Sequence, residues 1–149
     1  MKTEVKNLWR QTKLRLWPER YWLISVAPEQ LTLAAQTLRQ VTSSFAALVL
    51  ERDEVSLTLP EEAWQKCSAQ FVNAKVAGPY CALTFDLNIE LSVSGYLLPA
   101  AERLAEAGIS IVPQCAFLKD HLLLQEEDTV RAMAIMQQMI AACHEAESS

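Results

Sequence analysis

The residues able to hold a small molecule gather in the second half of the chain. Ile89-Glu-Leu-Ser-Val-Ser-Gly95 offers a carboxylate, hydroxyls and a glycine, and Phe117-Leu-Lys-Asp-His-Leu-Leu-Leu124 adds Asp120 and His121. A free amino acid carries a carboxylate and an ammonium. The carboxylate is matched by unpaired backbone N–H groups at the positive end of a helix, and Ser94 or Gly95 is placed to start one. The ammonium is matched by Glu90 or Asp120. These residues also have plainer uses: Ser94 as a helix cap, Gly95 for close backbone approach, Glu90 as a solvated loop acid and Asp120 as a turn former.

Covalent chemistry finds little support. Cys115 and His121 form the one Cys–His pairing that a hairpin would bring together. Cys115 lies between Gln114 and Ala116, with no cationic cluster to favour its thiolate. His121 sits in an apolar strand and reads as structural, and His144 falls in a tail. Glu90 and Asp120 lack surroundings that would separate their pKa values for general acid–base work. The chain is therefore expected to be no enzyme, with no catalytic residue and no cofactor. Cys67, Cys81, Cys115 and Cys143 are too widely spaced for a zinc site. They read as buried free thiols, which suits a reducing cytoplasm.

The totals narrow the partners. The chain has 149 residues, 51% hydrophobic and 21% charged, enough for one ordinary domain or two small ones. Its formal net charge is -5, and no basic run stands out beyond Lys2–Arg20, so nucleic acid is not an expected partner. No secretory leader is visible, and no apolar run reaches the roughly 18 residues of a membrane span.

The positioning elements follow from pattern. Arg20–Val26, between Pro18 and Pro28, reads as a strand. Pro28–Val41 reads as a helix with Leu31, Ala34, Ala35, Leu38 and Val41 on one side. Phe45–Leu50 and Val55–Leu59 flank Arg52-Asp53 as a hairpin, and Pro60 opens a short helix through Trp64 and Cys67. Gly78-Pro79 marks a turn. The order then repeats. Cys81–Leu87 is a strand, and Gly95–Ala107 a helix with Leu97, Leu98, Ala101, Leu104 and Ala105 on one face. Gly108 is a left-handed cap, and Ile109–Ala116 and Asp120–Gln125 form a hairpin. Acidic Glu126-Glu127-Asp128 precedes a last helix to about Cys143, striped by Val130, Met133, Met136 and Ile140. The resulting class is α+β, with mixed sheets because a strand–helix–strand crossover joins parallel neighbours, and with helices on one side. Its parts are an N-terminal arm (1–13), with Trp9 and Trp17 near it as cover for an apolar edge or as a docking surface, a first half (14–67), a junction (68–79), a second half with the C-terminal helix (80–143) and a tail (144–149).

Ile89-Glu-Leu-Ser-Val-Ser-Gly95, the helix ending Leu104-Ala-Glu-Ala-Gly-Ile-Ser-Ile111, and Asp120-His-Leu-Leu-Leu124 followed by Glu126-Glu127-Asp128 resemble the tandem ACT-domain proteins. These include stand-alone bacterial members and the cytosolic arginine sensor of animals. In the first half, Arg20–Val26, Ser56–Leu59 and Pro60-Glu61 are similar. The resemblance covers roughly residues 14 to 140. It implies two ferredoxin-like halves and an amino acid held at the loop after a first strand, between units. The loop positions are Ile89, Glu90, Leu91, Ser92, Val93, Ser94 and Gly95, with Glu90 where the subgroup usually has Asp and Leu91 where it has an aromatic. The expectation is a non-enzymatic amino-acid sensor or regulatory module. Its ligand, an amino acid or similar small zwitterion, would touch Ile89, Glu90, Ser92, Ser94, Gly95 and Asp120, and a homodimer or a regulated protein would be the partner. The alternative is an interaction or oligomerisation module that has lost ligand binding.

Overall fold

The structure, a computed structural model, describes residues 1–145; residues 146–149 of the expected tail lie outside the described residues. The class is α+β, with six strands and five α-helices among the described residues. The chain divides into two compact units. Unit 1 comprises Met1–Leu16 and Leu83–Ser149, and unit 2 comprises Trp17–Ala82. Two strands, β1 (Lys13–Val26) and β4 (Lys75–Asp86), each begin in one unit and end in the other.

In unit 2 the chain runs through β1, α2 (Leu31–Arg39), β2 (Ala47–Leu50), β3 (Val55–Pro60), α3 (Glu61–Cys67) and the start of β4. Pro28 begins a 3-10 turn, Pro28–Gln30, that leads into α2; there proline's fixed φ and missing N–H carry no penalty. Strand β3 pairs antiparallel with both β1 and β2. The register sets Ile24 against Leu57 and Val26 against Val55, so alternate residues build one apolar face. That face packs with Ala34, Cys67 and Phe71.

The expected mixed sheet is corrected here. The helix after β1 does lead to a strand, but β3 lies between β1 and β2 in the order β2-β3-β1, so these pairings are antiparallel. Gly78-Pro79 is not a turn between halves. It is a cis peptide within β4, in unit 2. Gly78 has φ +138, and a Cβ there would meet Tyr21 O at 3.0 Å. The positive φ and the close approach of the Trp22 ring and the Tyr21 backbone, not chain reversal, require the glycine. Ser68–Gln70, placed in the expected junction, is a 3-10 turn in unit 2.

In unit 1 the elements are α1 (Thr3–Gln11), the start of β1, the end of β4, α4 (Leu98–Glu106), β5 (Ile111–Cys115), β6 (Asp120–Gln125) and α5 (Thr129–Glu145). The expected arm is α1. Glu4 in its first turn and Arg10 in its last complement the helix dipole, and Val5 and Trp9 are buried. β5 and β6 form an antiparallel hairpin from Ile111↔Leu124 to Cys115↔Asp120. The core gathers Trp9, Leu83, Phe85, Tyr96, Leu104, Leu122, Leu124, Met136 and Met139.

Two helix faces differ from expectation. In α5 the buried residues are Thr129, Ala132, Met136, Met139 and Cys143, at spacings of three and four, while Val130 is 83% exposed. Of the expected stripe, Met136 is buried and Met133 and Ile140 are half-buried against the core, so it departs only at Val130, and Ala132, Met139 and Cys143 complete the seam. In α4 the buried side is Pro99, Ala100 and Leu104. The helix ends as expected: Gly108 has φ +72, and the Gly108 and Ile109 N–H groups donate to Ala105 O and Leu104 O at 2.9 Å.

Candidate functional site

Three segments of unit 1 converge. The first is the loop from Leu87 to Leu97, between β4 and α4. The second is the first turn of α4, and the third is the tight turn joining β5 to β6. The Ile89 N–H donates to Leu118 O at 2.9 Å and ties the loop to the hairpin turn. The Val93 N–H donates to Glu90 O at 3.0 Å, closing a turn over Leu91 and Ser92. The hairpin turn is closed by the Ala116 N–H donating to Lys119 O at 3.0 Å.

Where loop and hairpin meet lies a cleft of about 300 Å³. Ile89, Glu90, Gly95 and Asp120 line it, so four of the six expected ligand residues come together. Ser94 does not line it; with Gly95 it lines a neighbouring cleft of about 800 Å³ that also includes Lys2, Val5 and Arg103. Ser92 is exposed in the turn over residues 90–93.

The helix start is corrected. α4 begins at Leu98, with Leu97 at the cap position and no side-chain cap. Ser94 is therefore not its cap, and Gly95 is not its first residue. Pro99 sits in the first turn, where its fixed φ suits the helix start. It also lacks an N–H, so the helix end presents fewer donors than an unbroken first turn. Gly95 adopts φ +82, and a Cβ there would touch nothing within 4 Å. Its role is the left-handed backbone, not close approach.

The loop's far end is anchored by residues that local pattern did not mark as functional. Tyr96 stacks on Trp9 with ring centroids 4.6 Å apart and 11° between planes. The Trp9 indole N–H donates to Tyr96 O at 2.9 Å, and Tyr96 Oη lies 2.7 Å from Thr12 Oγ1. Burial pushes the Tyr96 phenol up. Trp9 is thus core, fixing the chain just ahead of α4. The aromatic types at positions 9 and 96 were the available signal, but their separation in sequence hid the contact.

The polar groups sort clearly. Asp86 accepts from Arg15 at 2.6 Å and lies 3.2 Å from Lys119. Hydrogen bonding from Lys119 leads the effects that hold its carboxyl below the usual range, with the nearby Arg15 charge adding to them. His121 is buried, with Nδ1 2.7 Å from Thr84 Oγ1, and burial lowers its pKa below the ordinary value. Cys115 is exposed rather than buried, although its thiol is pushed up to about 11 by desolvation and by the Asp120 carboxylate beside it. Cys81 is half-buried, whereas Cys67 and Cys143 are buried. A protonated thiol and an imidazole engaged with a threonine do not make a nucleophile–base pair. Among the described residues no group of three His, Cys, Asp or Glu could hold a metal, and no helix is long and apolar enough to cross a membrane.

No protein-family model matches the chain, and no curated protein matches it. Solved structures do. A Vibrio cholerae protein of unknown function is 21% identical, with a TM-score of 0.66 over 91% of this chain and 95% of that one. The aspartokinase alpha and beta subunits are 15% identical, with a TM-score of 0.62 over 87% and 98%. The ligand-free regulatory subunit of aspartate kinase from Thermus thermophilus is 12% identical, with a TM-score of 0.61 over 86% and 97%. At such identities the likeness concerns the fold alone, an α+β arrangement shared with these structures.

Proposed function

We propose that this chain is a tandem ACT-type regulatory module, without catalytic activity, that binds a free amino acid or a similar small zwitterion. Each unit would be one ferredoxin-like half, with β1 and β4 shared between them. The observation that carries the reading is the cleft of unit 1, where Ile89, Glu90, Gly95 and Asp120 line one space of about 300 Å³. Likeness of fold to regulatory subunits of aspartate kinase supports it. Asp120 and Glu90 supply the partners for an ammonium. Micromolar affinity corresponds to about 8 kcal/mol, more than a few loop contacts provide. A second copy of the chain would complete the site, in keeping with a homodimer, and occupancy would be relayed to a regulated protein in the cytoplasm.

Calorimetric titration against the twenty amino acids tests this. At least one is expected to bind the wild-type chain, and Asp120→Asn is expected to weaken it by about tenfold, or roughly 1.4 kcal/mol. Absence of heat with all twenty, at protein concentrations that register millimolar binding, removes the reading.

A second reading, an interaction module without a ligand, is favoured by β2. This strand ends the order β2-β3-β1, its sequence Ala-Leu-Val-Leu carries no charge or proline, and Val49 and Leu50 are exposed. Such an edge is open to pairing with another strand. A wild-type chain that self-associates, loses this on Val49→Lys and binds no amino acid would favour it.

A further inference from the structure

We infer that the cleft of unit 1 selects a ligand with a primary ammonium and an apolar body, and that the ligand's carboxylate contributes little. This rests on the amino-acid-binding reading above and narrows it. The first observation is apolar. Leu91, Leu98, Phe117 and Leu118 all line the cleft, at 73%, 56%, 75% and 50% exposure. Side chains of this size left open on one concave surface mark a place where an apolar group docks. A ligand without a hydrocarbon portion would leave them wet.

The second observation is the balance of charge. The charged side chains lining the cleft are Glu90, Lys119 and Asp120. Lys119 is already paired with Asp86, at 3.2 Å, and Asp86 is not part of the lining. The cleft therefore presents two carboxylates and a cation engaged elsewhere. Pro99 removes a backbone donor at the adjacent helix end. An ammonium gains from both acids. A carboxylate meets like charge and a depleted set of N–H groups. The volume of about 300 Å³ limits the occupant to one small molecule.

The test is titration calorimetry of the full chain with a matched series. L-leucine and L-phenylalanine carry both features. 3-Methylbutylamine and 2-phenylethylamine lack the carboxylate, N-acetyl-L-leucine lacks the ammonium, and glycine, L-lysine and L-aspartate lack the apolar body. Leucine or phenylalanine is expected to bind, with the matching amine within about threefold of it. The acetylated compound, glycine, lysine and aspartate are expected to be weaker by about tenfold or more. Phe117→Ser and Glu90→Gln, both at exposed positions, are expected to weaken leucine or phenylalanine by about tenfold with an unchanged far-UV spectrum. Preference for lysine or aspartate, or loss of binding when the carboxylate is removed, overturns the inference and leaves amino-acid sensing standing. No heat from any compound in the series or from the remaining amino acids removes both.

Discussion

At the scale of single residues, the chemistry of unit 1 is decided by what each polar group already touches. Burial lowers the pKa of His121, whose Nδ1 lies 2.7 Å from Thr84 Oγ1. Asp120, Lys119 and Arg15 also act on it, the first raising and the other two lowering its pKa. Because its folded pKa lies below the ordinary 6.5, the unfolded chain takes up the proton first. The contribution to stability is fully present above about pH 6.5 and is lost as pH falls toward the folded pKa. Thermal melts from pH 7.5 to 5.0 should show Tm falling across that window, and His121→Phe should flatten the fall; an unchanged slope would contradict the assignment. The residues of the cleft were legible in part. Acidic side chains are conspicuous, so Glu90 and Asp120 were found as a pair, and they do line one cleft. Ser94 was misread as a cap because cap preference is scored against an assumed helix start, and the helix starts at Leu98.

At the scale of elements, α1 is expected only as an arm, although Val5, Leu8 and Trp9 stand at helical spacing on one side of Thr3–Gln11. Its helix is stabilised chiefly by tertiary burial of Val5 and Trp9, a term invisible without the partners. Trp9→Ala should destabilise the chain by about 3–5 kcal/mol through the cavity it leaves. Trp9→Phe keeps part of the bulk and loses the N–H donated to Tyr96 O, so it should cost less. Chemical denaturation of both variants checks the ranking, and equal losses would mean that the indole's extra volume and hydrogen bond account for the whole effect. Elsewhere the elements were readable where turn chemistry and hydrophobic alternation agree. The β5–β6 hairpin and the Gly108 cap follow from local rules. The face of α5 was legible in large part: Met133, Met136 and Ile140 pack on the core, Val130 is exposed, and the small residues Ala132 and Cys143, which carry little hydrophobic signal, join the seam.

At the scale of the whole molecule, the repeated order of strands and helices was legible, but strand lengths were not. Pro18 and Gly78-Pro79 look like boundaries, yet both fall inside long strands. Pro18 is exposed, and Gly78 admits a backbone that a side chain would block. β1 and β4 each run from one unit into the other, so neither chain connection between the units is a loop. A single cooperative transition is expected. Amide exchange at Leu57–Leu59 in unit 2 and Leu122–Leu124 in unit 1 should report the same opening free energy, and two separated values would refute the coupling. The moorings of the Leu87–Leu97 loop bear on timing. Held at Ile89 by the hairpin, at Val93 by packing on the core and at Tyr96 by the Trp9 stack, it leaves only residues 90–92 and 94–95 exposed. Short tips of this kind rearrange in nanoseconds to microseconds. Under the proposed function, loop opening would therefore not slow ligand exchange, and occupancy would follow the surrounding metabolite level instead of storing a record of its past.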